Sequence, residues 1–411
     1  MLLRLRREYL DQEKGQGVEC RAFLRQLTWM LNGLIITGAE VLWPTGGLCA
    51  TPLAVVDGRV AQPGAGREID LAGFWVLPGI IDLHGDGFER HLAPRRGVIG
   101  ELDEGLAAVD AELACNGITT AVLAQFFSWE GGMRGPDFAQ KLVEALSRTQ
   151  RQWHSRMQVQ LRLEINLIDE YARAEALILS DQIGYVVFND HLPHGALNTG
   201  KRPQRLTGQA LRAGRSPEAH LKLLQDLSAR RSEIQAPLRA MAERLRAAGV
   251  RLGSHDDRSA ETRSRFREMG ADIAEFPETS VATAAAHDAG DLVILGAPNV
   301  VRGKSHKKNQ SARDALAAGH CDVLVSDYHY PSLRQAALTL VADGVMPLPD
   351  AWNLISTNPA MAMGWHDRGH LSVGAQADLV VLDAVTKRVA GTFVAGQASH
   401  LSGELVERFL A

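Results

Sequence analysis

Six side chains suited to holding a divalent metal fall at the ends of apolar runs. His84 and Asp86 lie two residues apart just after Ile80-Ile-Asp-Leu83. On a strand, positions i and i+2 face the same side, so an imidazole and a carboxylate project together. That nitrogen–oxygen pair suits zinc or manganese. Glu164 closes Val159-Gln-Leu-Arg-Leu-Glu164, and Asp190 and His191 follow Val186-Val-Phe-Asn189. His255-Asp-Asp257 follows Leu252-Gly-Ser254, and Asp327 closes Val323-Leu-Val-Ser326. One strand-end histidine is more often a solvated loop residue than a ligand. Three histidines and three carboxylates at the ends of five strands point to a single metal-lined mouth. Two neighbouring ions need a bridging carboxylate, for which Glu164 is the natural candidate. No lysine ends the corresponding strand, so a carbamylated-lysine bridge is the weaker alternative. Metals so placed acidify a bound water and clamp the electrophile's oxygen, and Asp327 is the candidate to accept the water's proton.

These residues need a scaffold that brings distant strand ends together. The stretch from Trp75 to Leu83, bent at Pro78-Gly79, is expected to be the opening strand. Seven further apolar runs follow, at 118–123, 159–164, 185–188, 250–253, 273–276, 292–295 and 323–325, each succeeded by a helix-like segment. Helical patterns over 101–116, stopped by Gly117, and from Pro136 onward are typical. The pattern predicts an α/β protein built on a TIM-like (β/α)₈ barrel, whose functional groups sit at the C-terminal ends of the strands. Short β-rich segments with Gly and Pro turns precede this region and return after it, at 377–383 and 391–397. A small β-sandwich built from both chain ends, 29–73 with 371–411, is therefore expected beside a barrel over 74–370. Residues 1–28 read as a polar N-terminal extension.

The segment 192–235 is too long for a simple connection. Between Gly200 and Arg231 it carries eight Lys or Arg against two carboxylates. It reads equally as a solvated helical face or as a lid over an anionic substrate.

The whole chain of 411 residues has a net charge of -4, which excludes a broad nucleic-acid surface and makes any basic feature local. Cys20, Cys49, Cys115 and Cys321 form no CxxC pair, which argues against a thiolate metal site and for a reducing compartment. The first ten residues include Arg4, Arg6 and Arg7, and no apolar run is long enough to span a bilayer. A cytoplasmic protein with no membrane partner is expected, and nothing in the sequence excludes a homo-oligomer.

The Leu77-Pro-Gly-Ile-Ile-Asp-Leu-His84 opening and the His…His…Asp series resemble the amidohydrolase superfamily. Several blocks resemble, within it, the PhnM family of phosphonate catabolism. They are Asn189-Asp-His191, Gly253-Ser-His-Asp-Asp257, Ile273-Ala-Glu-Phe-Pro277, Gly296-Ala-Pro-Asn-Val-Val-Arg-Gly303 and Ser326-Asp-Tyr328. The match spans roughly residues 30–390. The resemblance implies hydrolysis of α-D-ribose 1-alkylphosphonate 5-triphosphate to the 5-phosphate and diphosphate. It implies one or two divalent ions (zinc first, then manganese or iron) on His84, Asp86, Glu164, His191, His255 and Asp327. It also implies a triphosphate-bearing small molecule as partner, with Asn299, Arg302 and Lys304 on its phosphates. The chain departs from the family at His84-Gly-Asp-Gly87 and at Ser326-Asp-Tyr-His-Tyr-Pro331, changes on the substrate side of the site. Two other readings remain: an amidohydrolase cleaving a C–N bond of a phosphorylated or acidic molecule, as a deacetylase or cyclic amidase does, and a non-catalytic scaffold of a phosphonate-processing assembly.

Overall fold

The computed structural model describes residues 33–93, 95, 100–303 and 312–411; the expected polar extension over 1–28 lies outside them. Eight strands follow one another around a parallel barrel in chain order. They are β1 (Ile80–Gly85), β2 (Ile118–Phe127), β3 (Arg156–Glu164), β4 (Tyr185–Asn189), β5 (Arg251–His255), β6 (Ile273–Glu275), β7 (Leu292–Gly296) and β8 (Val323–Val325). Between β8 and β1 the sheet meets at a single parallel bridge, Gly85 with Asp327. There Asp86 N donates to Asp327 O at 2.7 Å, and Asp327 N to His84 O at 3.0 Å. Two of the residues expected to do chemistry therefore sit on the seam that joins first and last strands.

The strands are apolar on both faces because both are covered. Ile81, Val122, Tyr185, Val187, Ile273, Ile294 and Val323 fill the interior. Other strand residues, such as Leu161, Val186, Phe188 and Leu252, face outward into the helix layer. The helices present the complementary stripe. Pro136–Thr149 starts on proline and buries Phe138, Leu142, Val143 and Leu146 at helical spacing. Leu102–Cys115 ends at Gly117, whose φ of +80° favours glycine and where a Cβ would lie 2.6 Å from Val380.

The opening stretch is two strands rather than one bent strand. Phe74–Pro78 pairs antiparallel with Leu379–Asp383 and parallel with Glu40–Leu42, in a six-stranded sheet that joins both chain ends. The chain enters the barrel only at Ile80. Gly79 is the pivot: its N–H bonds Asp378 O at 2.8 Å, whereas Ile80 N already bonds Gly117 O at 3.0 Å. A four-stranded sheet containing Leu34–Thr37 and Leu53–Val56 faces the six-stranded one. Leu34, Ile36, Leu53, Val76, Leu379, Val381 and Phe393 form their shared core.

The long segment after β4 folds into the helices His194–Asn198, Leu206–Arg212 and Pro217–Ala229. It is pinned rather than loose. Leu192, Leu206, Leu224 and Leu227 bury Trp129, which follows β2, in a satellite core. Among the described residues, no helix is long and apolar enough to cross a membrane.

Candidate metal centre

The C-terminal mouth of the barrel opens into a cavity of about 830 Å³. Its lining includes Asp86, His191, His255, Asp256, Asn299 and Asp327. Strand alternation explains much of this gathering. In β3, Gln160, Arg162 and Glu164 share the inward face, while Leu161 and Leu163 face out. His84 is different. Ile81 and Leu83 point inward, so regular alternation would turn His84 away. The pairing of β1 with β2 slips by one residue between Asp82 and Gly85, and this bulge re-aims the imidazole into the barrel.

His84 Nδ1 lies 2.7 Å from Glu275 Oε2, and Glu275 Oε1 accepts from Gln160 Nε2 at 2.7 Å and Tyr185 Oη at 2.6 Å. All four groups are buried. Burial would raise the Glu275 carboxyl, but the charge and hydrogen bond of His84 hold it below its ordinary value. Glu164, fully buried, approaches His191 Nδ1 at 2.5 Å and accepts from Trp129 Nε1 at 3.2 Å. Burial opposes protonation of His191, but Glu164 and Asp256 outweigh it and hold that imidazole at about 9. His255 is pushed down to about 4, chiefly by burial. Its Nε2 lies 2.9 Å from an Arg162 amino group. Guanidinium can only donate, so Nε2 accepts and the neutral ring carries its proton on Nδ1, 3.2 Å from Asp256 Oδ2. Asp327 is pushed up to about 6 by burial and by the charge of Asp86.

The backbone leaves three strands through unusual conformations. Asp256, Phe276 and Asp327 have φ of 59°, 50° and 55°. Aspartate tolerates this region and phenylalanine seldom enters it, at a cost of about 1–3 kcal/mol each. The strained Phe276 ring packs against both His84 and His255, with centroids 5.0 Å away in each case.

Two donor sets among the described residues lie close enough to serve one ion each, with atoms within 4.8 Å of one another: His84, His255 and Glu275, and His191, His255 and Asp256. The surroundings fit a divalent cation. His84 Nε2 is buried without a hydrogen-bond partner while Nδ1 is held by a carboxylate, the usual support of a metal-bound imidazole. His255 Nε2 accepts from Arg162, so an ion ligated through that atom would displace the Arg162 contact. Imidazole nitrogens mixed with carboxylate oxygens suit zinc, manganese or iron.

Of the residues singled out from sequence, His84, His191 and His255 fall in these sets, Glu164 braces His191, and Asp86 and Asp327 line the same cavity. Asn299 lines it too. Arg302 is exposed at the rim, its guanidinium 5.3 Å from the centre of the Tyr328 ring. Lys304 lies outside the described residues. The structure adds Glu275, Asp256 and Arg162. Each carried a signal: Glu275 ends Ile273-Ala-Glu as Glu164 ends β3, Asp256 adjoins His255, and Arg162 stands two residues before Glu164 on the same face.

Fold and site together define a (β/α)₈ barrel whose mouth gathers metal-competent side chains, and comparison with known proteins specifies the class. Residues 238–399 match the amidohydrolase family. Over 323 residues, 77% of this chain and 85% of the relative, the sequence is 32% identical to alpha-D-ribose 1-methylphosphonate 5-triphosphate diphosphatase of Escherichia coli (strain K12). The chain belongs to the amidohydrolase family, within the branch that this diphosphatase represents. Among solved structures, N-acetyl-D-glucosamine-6-phosphate deacetylase from Mycobacterium smegmatis aligns with a TM-score of 0.59 and 17% identity, over 89% of this chain and 99% of that one. A Xaa-Pro dipeptidase aligns at 0.60 and 14%, with the same coverage. At such identities these two show a common fold.

Proposed function

We propose that this chain is a metal-dependent diphosphatase acting on α-D-ribose 1-alkylphosphonate 5-triphosphate, leaving the 5-phosphate. The observation that carries this reading is the 32% identity to a diphosphatase of that chemistry across most of both chains. The cavity agrees with it, since carboxylates and histidines at its floor give way to Arg134, Arg205, Arg212 and Arg258 along its walls. Arginine forks match phosphate oxygens in geometry and charge.

Hydrolysis of the phosphoanhydride consumes one water. A bond forms from water oxygen to phosphorus, the bond to the bridging oxygen breaks, and a proton must be taken up. Asp327 takes it. At about 6 its carboxyl is ionised at neutral pH yet more basic than an ordinary aspartate. His84, Asp86, Glu164, His191, His255 and Asp327 hold one or two divalent ions, Glu275 fixes the ring of His84, and Asp256 stands against His255 and His191. When bound, the metal supplies the Lewis acidity that makes water nucleophilic at neutral pH. Asn299 on the wall and Arg302 at the rim contact the phosphates.

The test is a metal-loaded assay of diphosphate release from the ribose triphosphate, beside deacetylation of N-acetylglucosamine 6-phosphate. Diphosphate release abolished by chelation supports the reading. Deacetylation alone replaces it with C–N hydrolysis. A chain that binds no metal and turns over neither substrate is a scaffold.

A further inference from the structure

Arg162 is 4% exposed, yet it forms no ion pair among the described residues. Its Nε is buried without a partner, one amino group meets the neutral His255, and the guanidinium carbon lies 3.9 Å from the centre of the Phe126 ring. Arginine keeps its charge in proteins, and a buried charge requires a counter-charge. The other arginines of the cavity differ. Arg134 meets Glu89 at 3.4 Å and Glu130 at 3.3 Å, and Arg258 meets Glu278 at 2.7 Å. Arg212 reaches only the shared Glu130, at 3.7 Å, and the side chain of Arg205 forms no ion pair among the described residues. Positive side chains without a close carboxylate therefore run from Arg162 at the floor to Arg205 on the pinned insertion, where Arg212 is held only by its share of Glu130.

We propose that Arg162 anchors the anionic group that reacts, and that Arg205 and Arg212 continue the track outward. The site then selects a chain of adjacent phosphates over a single phosphate or carboxylate. This rests on the phosphoanhydride reading above and deepens it. Pre-organisation supports the assignment. Phe126 stacks on Arg162 and on Arg134, 3.9 and 4.2 Å from its ring centre, fixing the plane of each fork. The helix bearing Arg212 is tied down through Leu206, and Arg215 donates to Trp129 O at 2.8 Å. A phosphate oxygen at Arg162 stands next to His255, 2.9 Å from the guanidinium, in the cavity that Asp86 and Asp327 also line. The insertion is thus a fixed wall that measures the length of a polyanion.

The experiment is calorimetric titration of the full-length protein, as purified, with inorganic triphosphate, diphosphate and monophosphate. Phosphorus NMR checks that each stays intact. The wild type is expected to bind triphosphate at least about tenfold tighter than monophosphate. Arg162→Lys keeps the charge and loses the fork, and should weaken triphosphate about tenfold or more. The Arg205→Ala/Arg212→Ala pair, on exposed positions, should erase the preference for triphosphate while leaving monophosphate binding unchanged. Arg162→Ala is informative if it retains the wild-type circular dichroism spectrum; if it does not, the lysine variant and the rim pair carry the test. Wild-type affinity for triphosphate in folded Arg162→Lys, or equal affinity of the wild type for all three anions, overturns the proposal. Arg162-dependent triphosphate binding without diphosphate release from the ribose substrate leaves the anion track standing and removes the proposed reaction. Release with no dependence on Arg162 does the reverse.

Discussion

Replacing Glu164 with glutamine should discharge His191. In the metal-free protein Glu164 Oε1 lies 2.5 Å from His191 Nδ1, and Asp256 Oδ2 lies 3.8 Å from Nε2. Burial pushes the ring toward neutrality, but Glu164, with help from Asp256, lifts it from 6.5 to about 9. That rise corresponds to about 3 kcal/mol of preference for the charged ring. The folded value is raised, so this stabilisation is complete below about 6.5 and disappears as pH climbs through about 9. Glutamine keeps the size and a hydrogen bond but removes the largest opposing charge. His191 should then titrate near or below the ordinary imidazole value. Two assays read this. An NMR titration of the His191 ring in metal-free protein should show a midpoint near 9 in wild type and a drop of about two pH units in the variant. Metal titration at pH 7.5 in buffers of different ionisation heat should release about one proton per ion in wild type and far less in Glu164→Gln. A wild-type midpoint near 6.5, or a variant still titrating near 9, refutes the reasoning.

Asp327→Asn should keep the fold and lower turnover at least about a hundredfold; unchanged turnover removes its role as base. Wild-type turnover should fall as pH drops below about 6, because the raised carboxyl takes up its proton there and ceases to be a base. Glu275→Gln frees the ring of His84 and should weaken metal binding about 10- to 100-fold by calorimetry; undiminished affinity means Glu275 does not orient His84. Arg263 is buried between Asp257 and Asp291, each 3.2 Å away, so Arg263→Ala leaves buried Asp257 with no cation beside it, while Asp291 keeps Arg267. Urea unfolding should show a loss of about 3–5 kcal/mol, and a loss below about 1 kcal/mol contradicts the pairing.

The eight barrel strands were legible as apolar runs because a strand buried on both faces must be apolar throughout. The polar residues ending those runs stood out by their place at the strand ends, as Glu164 and His255 do, although Gln160 and Arg162 also break the apolar pattern within β3. A boundary between sheets is harder to see. Phe74 to Leu83 is apolar on either side of Gly79, and only its partners, Leu379–Asp383 on one side and Ile118 on the other, assign the two halves to different sheets. The role of the insertion was equally hidden, since composition could not separate a solvated face from a wall of the cavity. Burial of Trp129 under Leu206 and Leu224 decides it.

Local sequence determined which side chains are available at each strand end, because period-two alternation and apolar runs act over a few residues. Tertiary structure alone decided which of them meet. His84 turns inward through a one-residue slip against β2, Glu275 comes to it from 191 residues away, and Arg162 finds a neutral histidine where a carboxylate would have balanced it. Such encounters depend on barrel closure and strand register, and no short stretch of chain encodes either.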